Sequence, residues 1–196
     1  MAALPSHLVD QLGDLAVDIR EGYEANSGEI DTALGLLPAF TEFGQPRSAL
    51  ERALAVSEFK KSAQRFGLEE RTGPGGSAEL ILPVGNDRAI LRFRSAEFVG
   101  EEPRMIANGA IWGGVEGLWR ELPYVFGWTT DGHGSIDFFV AEVTGKTDHA
   151  VPMLIFGWIH FFNRPAPLNG AFKPDSGDNL DGWDRPAKDE DGRQAQ

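Results

Sequence analysis

The side chains able to do chemistry are few in this chain, and they are scattered. None of its 196 residues is cysteine, which excludes a thiol nucleophile, thiolate metal ligands and a disulfide framework. The histidines are His7, His133, His149 and His160. The last three lie in one stretch with Asp137 and Glu142, and such a group could bind a metal or move protons. Spacing argues against it. Asp137 and Glu142 are five residues apart, so on one strand they face opposite sides. His133 and His149 fall in predicted turns. No His-Glu-x-x-His, Gly-x-Ser-x-Gly or other nucleophile–base pattern occurs. The expectation is no catalytic residue, no metal ligand and no cofactor.

Two glycine-rich segments fail the same scrutiny. Thr72 to Ser77 lacks the Gly-Lys-Ser/Thr ending of a phosphate loop and precedes a strand pattern. Asp175 to Gly182 has the composition of a calcium loop. Aligned on Gly182, however, its first and last ligand positions become Gly177 and Lys188, which cannot serve.

What remains are residues suited to contact. Asp10, Asp14, Asp18 and Glu21 form an acidic row at helical spacing. Phe172, Leu180 and Trp183 are isolated apolar residues in a polar segment, a pattern used for anchoring on a partner. Trp128, Phe139, Trp158 and His160 belong to an aromatic-rich stretch and could line an apolar ligand pocket.

The net charge is −12, and it is uneven. Residues 1–46 hold eight acids against one base, while residues 47–104 hold nine against ten. An acidic chain repels nucleic acid and anionic membranes and attracts basic proteins. The N-terminus lacks the basic start and apolar run of a signal peptide. Without cysteine, a reducing compartment fits, so a cytoplasmic location is expected.

The elements that must position these residues follow from periodicity. Leu8, Leu12, Leu15 and Ile19 share one face of a predicted helix over 6–25, capped by Ser6 and ended by Asn26-Ser27-Gly28, residues that tolerate positive φ. A short helix is predicted at 30–37. A third, over 49–66, opens on the capping box Ser48-x-x-Glu51 and ends at Gly67, with Leu68 as the apolar contact beyond. Residues 79–84 and 88–94 form a hairpin around Gly85-Asn86-Asp87. Residues 95–105 read as a loop or helix end. Residues 108–122 have helical spacing, with a stripe of Gly109, Gly113 and Gly117 that suits close packing. Pro123 should stop that helix, and 124–129 is a strand.

The two apolar runs Ile136–Val143 and Ala150–Phe162, joined through Gly145-Lys146-Thr147-Asp148, read as a hairpin apolar on both sides and therefore central in its sheet. The second run is too short and too interrupted to cross a bilayer.

The expected fold is α+β. N-terminal helices pack on a mainly antiparallel sheet in one domain over 1–162, with a helical part at about 6–66 and a sheet part at about 79–162. An acidic, Pro- and Gly-rich extended tail covers 163–196. The helix with Lys60, Lys61 and Arg65, followed by a hairpin with Arg88, Arg92 and Arg94, resembles the helix-plus-wing layout of winged-helix DNA binders, which would imply DNA binding. The acidity of the chain points elsewhere. The expected function is protein interaction or assembly without catalysis, as in inhibitors, immunity-type proteins or mobile-element and virion components. The partner would be a basic protein or a second copy. A small-molecule-binding or hydrolytic domain using the aromatic sheet is the alternative, and winged-helix-like DNA binding stands behind it.

Overall fold

A computed structural model describes residues 3–36, 39–42, 44–73, 76–107 and 120–162. Helices α1 (Ser6–Asn26), α2 (Gly28–Gly35), α3 (Ala39–Glu42) and α4 (Gly44–Arg65) come first. The strands follow: β1 (Glu69–Thr72), β2 (Ala78–Val84), β3 (Asp87–Ser95), β4 (Glu97–Val99), β5 (Glu102–Arg104), β6 (Glu121–Thr130), β7 (Ile136–Lys146) and β8 (Leu154–Phe162). Six strands form one sheet in the order β1-β2-β3-β6-β7-β8, and β4 pairs with β5 alone. The N-terminal helices pack on one face of this sheet, so the fold is α+β.

Both faces of the sheet are covered, which explains strands that do not alternate between apolar and polar. On the helix side, Leu12, Leu15 and Ile19 of α1 and Phe59 of α4 meet Leu80, Leu91, Phe93, Phe126 and Phe138. Phe59 stacks on Phe93 with ring centroids 4.2 Å apart, close to the distance at which offset aromatic pairs gain most. On the opposite side, Val125, Phe139, Ala141 and Val143 pack with Met105, Ala107 and Leu154. The β4–β5 hairpin contributes Phe98, whose ring meets Phe139 edge-on.

The sheet is mainly antiparallel, as expected, with β3 running parallel to β6 from Arg88↔Glu121 to Ser95↔Trp128. Several other sequence expectations change. The 136–162 hairpin is not central. β7 is apolar on both faces as expected, but β8 lies at the sheet edge and its side chains are mostly half-buried. Residues 69–72, where no element was expected, supply β1, and residues 95–105, expected to be a loop or helix end, supply the β4–β5 hairpin. Their short polar strands carry no alternation signal and exist because neighbouring backbone offers a ladder.

Of the predicted helix at 108–122, residues 108–119 and their glycine stripe lie outside the described residues. Glu121 and Leu122 belong to β6, with Pro123 inside that strand opposite Ile90. The tail at 163–196 also lies outside the described residues.

Helix ends differ as well. α1 is preceded by Pro5, whose carbonyl accepts from the N–H groups of Leu8 and Val9, and Ser6 makes no capping bond. Ser27 keeps right-handed helical angles, so α1 passes almost directly into α2. α4 starts at Gly44, upstream of the supposed capping box. Pro46 is at home in its first turn, where its missing N–H has no intrahelical acceptor to lose. The C-terminal signal holds: Gly67 is left-handed with φ 64°, and the Leu68 N–H closes on the Ala63 carbonyl at 2.9 Å. Among the described residues no helix is long and apolar enough to cross a membrane.

Candidate functional site

α1 lies over the β7–β8 side of the sheet. Gly13 sits against the Phe162 ring, and Arg20 Nε donates to the Ile136 carbonyl at 3.0 Å. With one face buried, the opposite face of α1 must meet solvent. There Asp10, Asp14 and Glu21 are exposed, with Glu24 one turn further on. Val17 lies among them, 39% exposed. These positions follow i, i+4, i+7, i+11 and i+14, a single helical face about 21 Å long at 1.5 Å per residue.

Asp18 leaves this row. It turns to α4, where Arg65 holds it through Nε at 3.0 Å and through Nη2. Burial alone would raise the Asp18 pKa, but hydrogen bonds from Ser62 and Arg65, with the Arg65 charge, hold it below the usual carboxylate range. Among the described residues, Asp10, Asp14, Glu21 and Glu24 form no ion pair.

Several bases are paired elsewhere. Lys60 meets Glu70 at 3.3 Å, Lys61 meets Glu58 at 2.6 Å, and Arg47 pairs with Asp31. Arg71 and Arg92 both donate to Glu79, at 2.8 and 2.7 Å. Glu79 is fully buried and Arg92 is 7% exposed. β3 has β2 on one side and β6 on the other, so the β2–β3 hairpin belongs to the sheet interior and does not project as a wing.

The aromatic candidates are divided by the sheet. Trp128 is buried in the helix-side core, and Phe139 in the opposite one, so the sheet backbone separates them. The structure does bring Trp158 and His160 together on β8, stacked with centroids 6.0 Å apart. His160 is exposed and meets Phe162 edge-on at 5.0 Å. A groove of about 430 Å³ lies elsewhere, lined by Ser57, Lys60, Lys61, Gln64, Leu68 and Glu70. His133 and His149 are both exposed in turns, and among the described residues no three acidic or histidine side chains converge as a metal site requires. Phe172, Leu180 and Trp183 lie outside the described residues.

One polar cluster escapes sequence reasoning. Glu51 of α4 is buried and accepts from the Thr130 hydroxyl at 3.1 Å. Arg47 stands 3.8 Å away and also donates to the Gly132 carbonyl. Burial raises the Glu51 pKa, with smaller upward contributions from Asp131 and Asp31. The Thr130 bond and the Arg47 charge pull the other way without overcoming burial. Burial likewise raises the Tyr23 hydroxyl, with Glu51 and Asp131 adding to it.

The cluster joins α1, α2, α4 and the β6–β7 turn. Its carboxylates are engaged by hydrogen bonds and cations. The signal was available: Glu51, Ala55, Glu58 and Ser62 follow the buried period of α4, so two of its acids face inward. Comparison with protein-family models, with curated proteins and with solved structures found no match to this chain.

Proposed function

We propose that this protein works by binding, without a reaction of its own, and that the outer face of α1 receives a basic protein. The observation that carries this reading is the unneutralised row Asp10, Asp14, Glu21 and Glu24, set on a helix whose other sides are buried or ion-paired. Rows of like charge destabilise a helix by a few tenths of a kcal/mol per neighbouring pair. A basic partner reverses the sign of that cost. Such a field mainly accelerates encounter, and it is screened over about 8–10 Å at ordinary ionic strength. Val17 offers the apolar centre that a purely solubilising face would not need. A reducing, cytoplasmic setting suits the absence of cysteine.

The test compares proteins captured from the native source by the wild-type chain and by the triple variant Asp10→Lys, Asp14→Lys, Glu21→Lys, at matched thermal stability. A basic protein retained by the first and lost by the second, with association slowed by added salt, is expected. Identical captured sets would reduce the row to a solubility device.

A further inference from the structure

The β6–β7 turn is braced within itself. The Asp131 carboxylate accepts from the N–H groups of His133 and Ser135 at 2.7 and 3.0 Å, and the Asp131 N–H donates to the Ser135 carbonyl at 3.2 Å. Gly132 and Gly134 take left-handed angles, φ 73° and 110°, which suit glycine alone. The turn can therefore keep its shape while it moves as a unit. Arg20 of α1 holds the Ile136 carbonyl behind it, so β7 stays in place and Thr130 to Ser135 is the segment that can lift. α4 holds that segment down. Arg47 donates to the Gly132 carbonyl at 3.4 Å, and Glu51 accepts from Thr130, the last residue of β6, at 3.1 Å. Residues 131–135 take no part in the apolar core under α1 and α4, so the turn can leave without opening it.

We infer that the Glu51 carboxyl is a proton-controlled latch: while protonated it keeps the β6–β7 turn docked on α4, and loss of the proton releases the turn. The groups around it set this direction. Asp31 faces it from α2, Asp131 from the turn and Arg47 from its own helix, with the Tyr23 hydroxyl on the α1 side. Arg47 is the one cation of this set. It already pairs with Asp31 and stands 3.8 Å from Glu51. Ionised Glu51 is thus a third carboxylate beside a single guanidinium, and it is the buried one. Burial and like charge both favour its neutral form. Lifting the turn admits water and takes Asp131 away, which removes that preference. The docked carboxyl therefore holds its proton more tightly than the released one. Docking is fullest below the ordinary carboxylate range and weakens as pH rises through the docked value.

The chain has no cysteine, so His133→Cys on the turn and Ser57→Cys further along α4 supply two unique thiols at exposed positions. Replacing His133 also removes an imidazole, a group that ordinarily titrates near neutral pH. Nitroxides on these thiols of the full chain are read as distances by pulsed electron spin resonance, between about pH 5 and 8. A short, docked distance should dominate at the acid end. A longer one should grow in as pH rises, with the ratio of the two changing by up to about tenfold per pH unit. Glu51→Gln in the same background should hold the docked distance throughout. Thr130→Val, which removes a hydrogen bond to the ionised carboxylate, should enlarge the longer population at neutral pH.

A single distance at every pH in the labelled parent overturns the latch. So does a pH response that survives Glu51→Gln, since another group would then be the one titrating. A longer population that appears only as helical circular dichroism is lost reports global unfolding, and the inference fails again. Where Glu51→Gln does not fold, Thr130→Val decides: a distribution identical to the parent's at neutral pH refutes Glu51 as the group that holds the turn.

Discussion

Replacing Gly127 with alanine tests the packing on the sheet face away from the helices. Gly127 of β6 stands opposite Phe139 of β7, and the Phe139 ring lies over the bare glycine. A Cβ at Gly127 would come 2.9 Å from Cε2 of that ring, and nearer still to Cζ and Cε1. Ordinary contact begins at 3.4 Å, so even the most distant of these atoms must retreat by about half an ångström. The ring has little room, because Phe98, Phe161 and Phe156 surround it with centroids 5.7, 5.9 and 6.3 Å away.

Overpacking a well-filled core costs about 1–3 kcal/mol. Alanine recovers about 0.5–1 kcal/mol of strand preference over glycine. The net expectation is a loss of about 1 kcal/mol, which lowers the melting temperature by about 2–4 °C for a chain of this size. Thermal and urea melts measure it. Combining Gly127→Ala with Phe139→Leu should relieve the clash, giving a coupling of about 1 kcal/mol or more in a double-mutant cycle. Gly22→Ala is the contrast. Its Cβ meets the Glu58 carboxylate, with Cδ at 3.1 Å, a flexible end that can swing aside. The helix gain of about 1 kcal/mol offsets that movement. A Gly127→Ala protein as stable as wild type would show that the Phe139 ring is not confined as described.

Glu79→Ala leaves Arg92 buried without its carboxylate and should cost about 3–5 kcal/mol, whereas Arg65→Ala, which breaks a partly exposed pair with Asp18, should cost less than about 1 kcal/mol in the same urea melts. Glu51 has a folded-state pKa above its ordinary value, so its contribution to stability is full below the unfolded value and is lost as pH rises through the folded one. Glu51→Gln should therefore be more stable than wild type at alkaline pH, with the advantage shrinking towards about pH 4–5. A wild type that gains on the variant as pH rises would show that Thr130 and Arg47 outweigh burial.

Much of the local structure was legible in residue order. The stripe Leu8, Leu12, Leu15 and Ile19 placed the buried side of α1, since an apolar period of 3.6 only makes sense against a core. Gly67 marked the end of α4, because glycine adopts the left-handed turn at no steric cost. The two-sided apolarity of β7 announced a strand covered on both faces.

Tertiary structure decided the rest, because an element's pattern records how many of its faces are buried and not which neighbour buries them. β7 and β8 looked alike in sequence, yet one is interior and the other an edge, since strand order follows from the parallel β3–β6 pairing. Asp14 and Asp18 are one helical turn apart and chemically identical. The position of α4 alone, bringing Arg65 to one of them, makes Asp18 a structural anion and leaves Asp14 to face solvent. Glu51 looked like half of a capping box. Its burial and its bond to Thr130 come from a turn 79 residues away in the chain, a distance across which no local rule reaches.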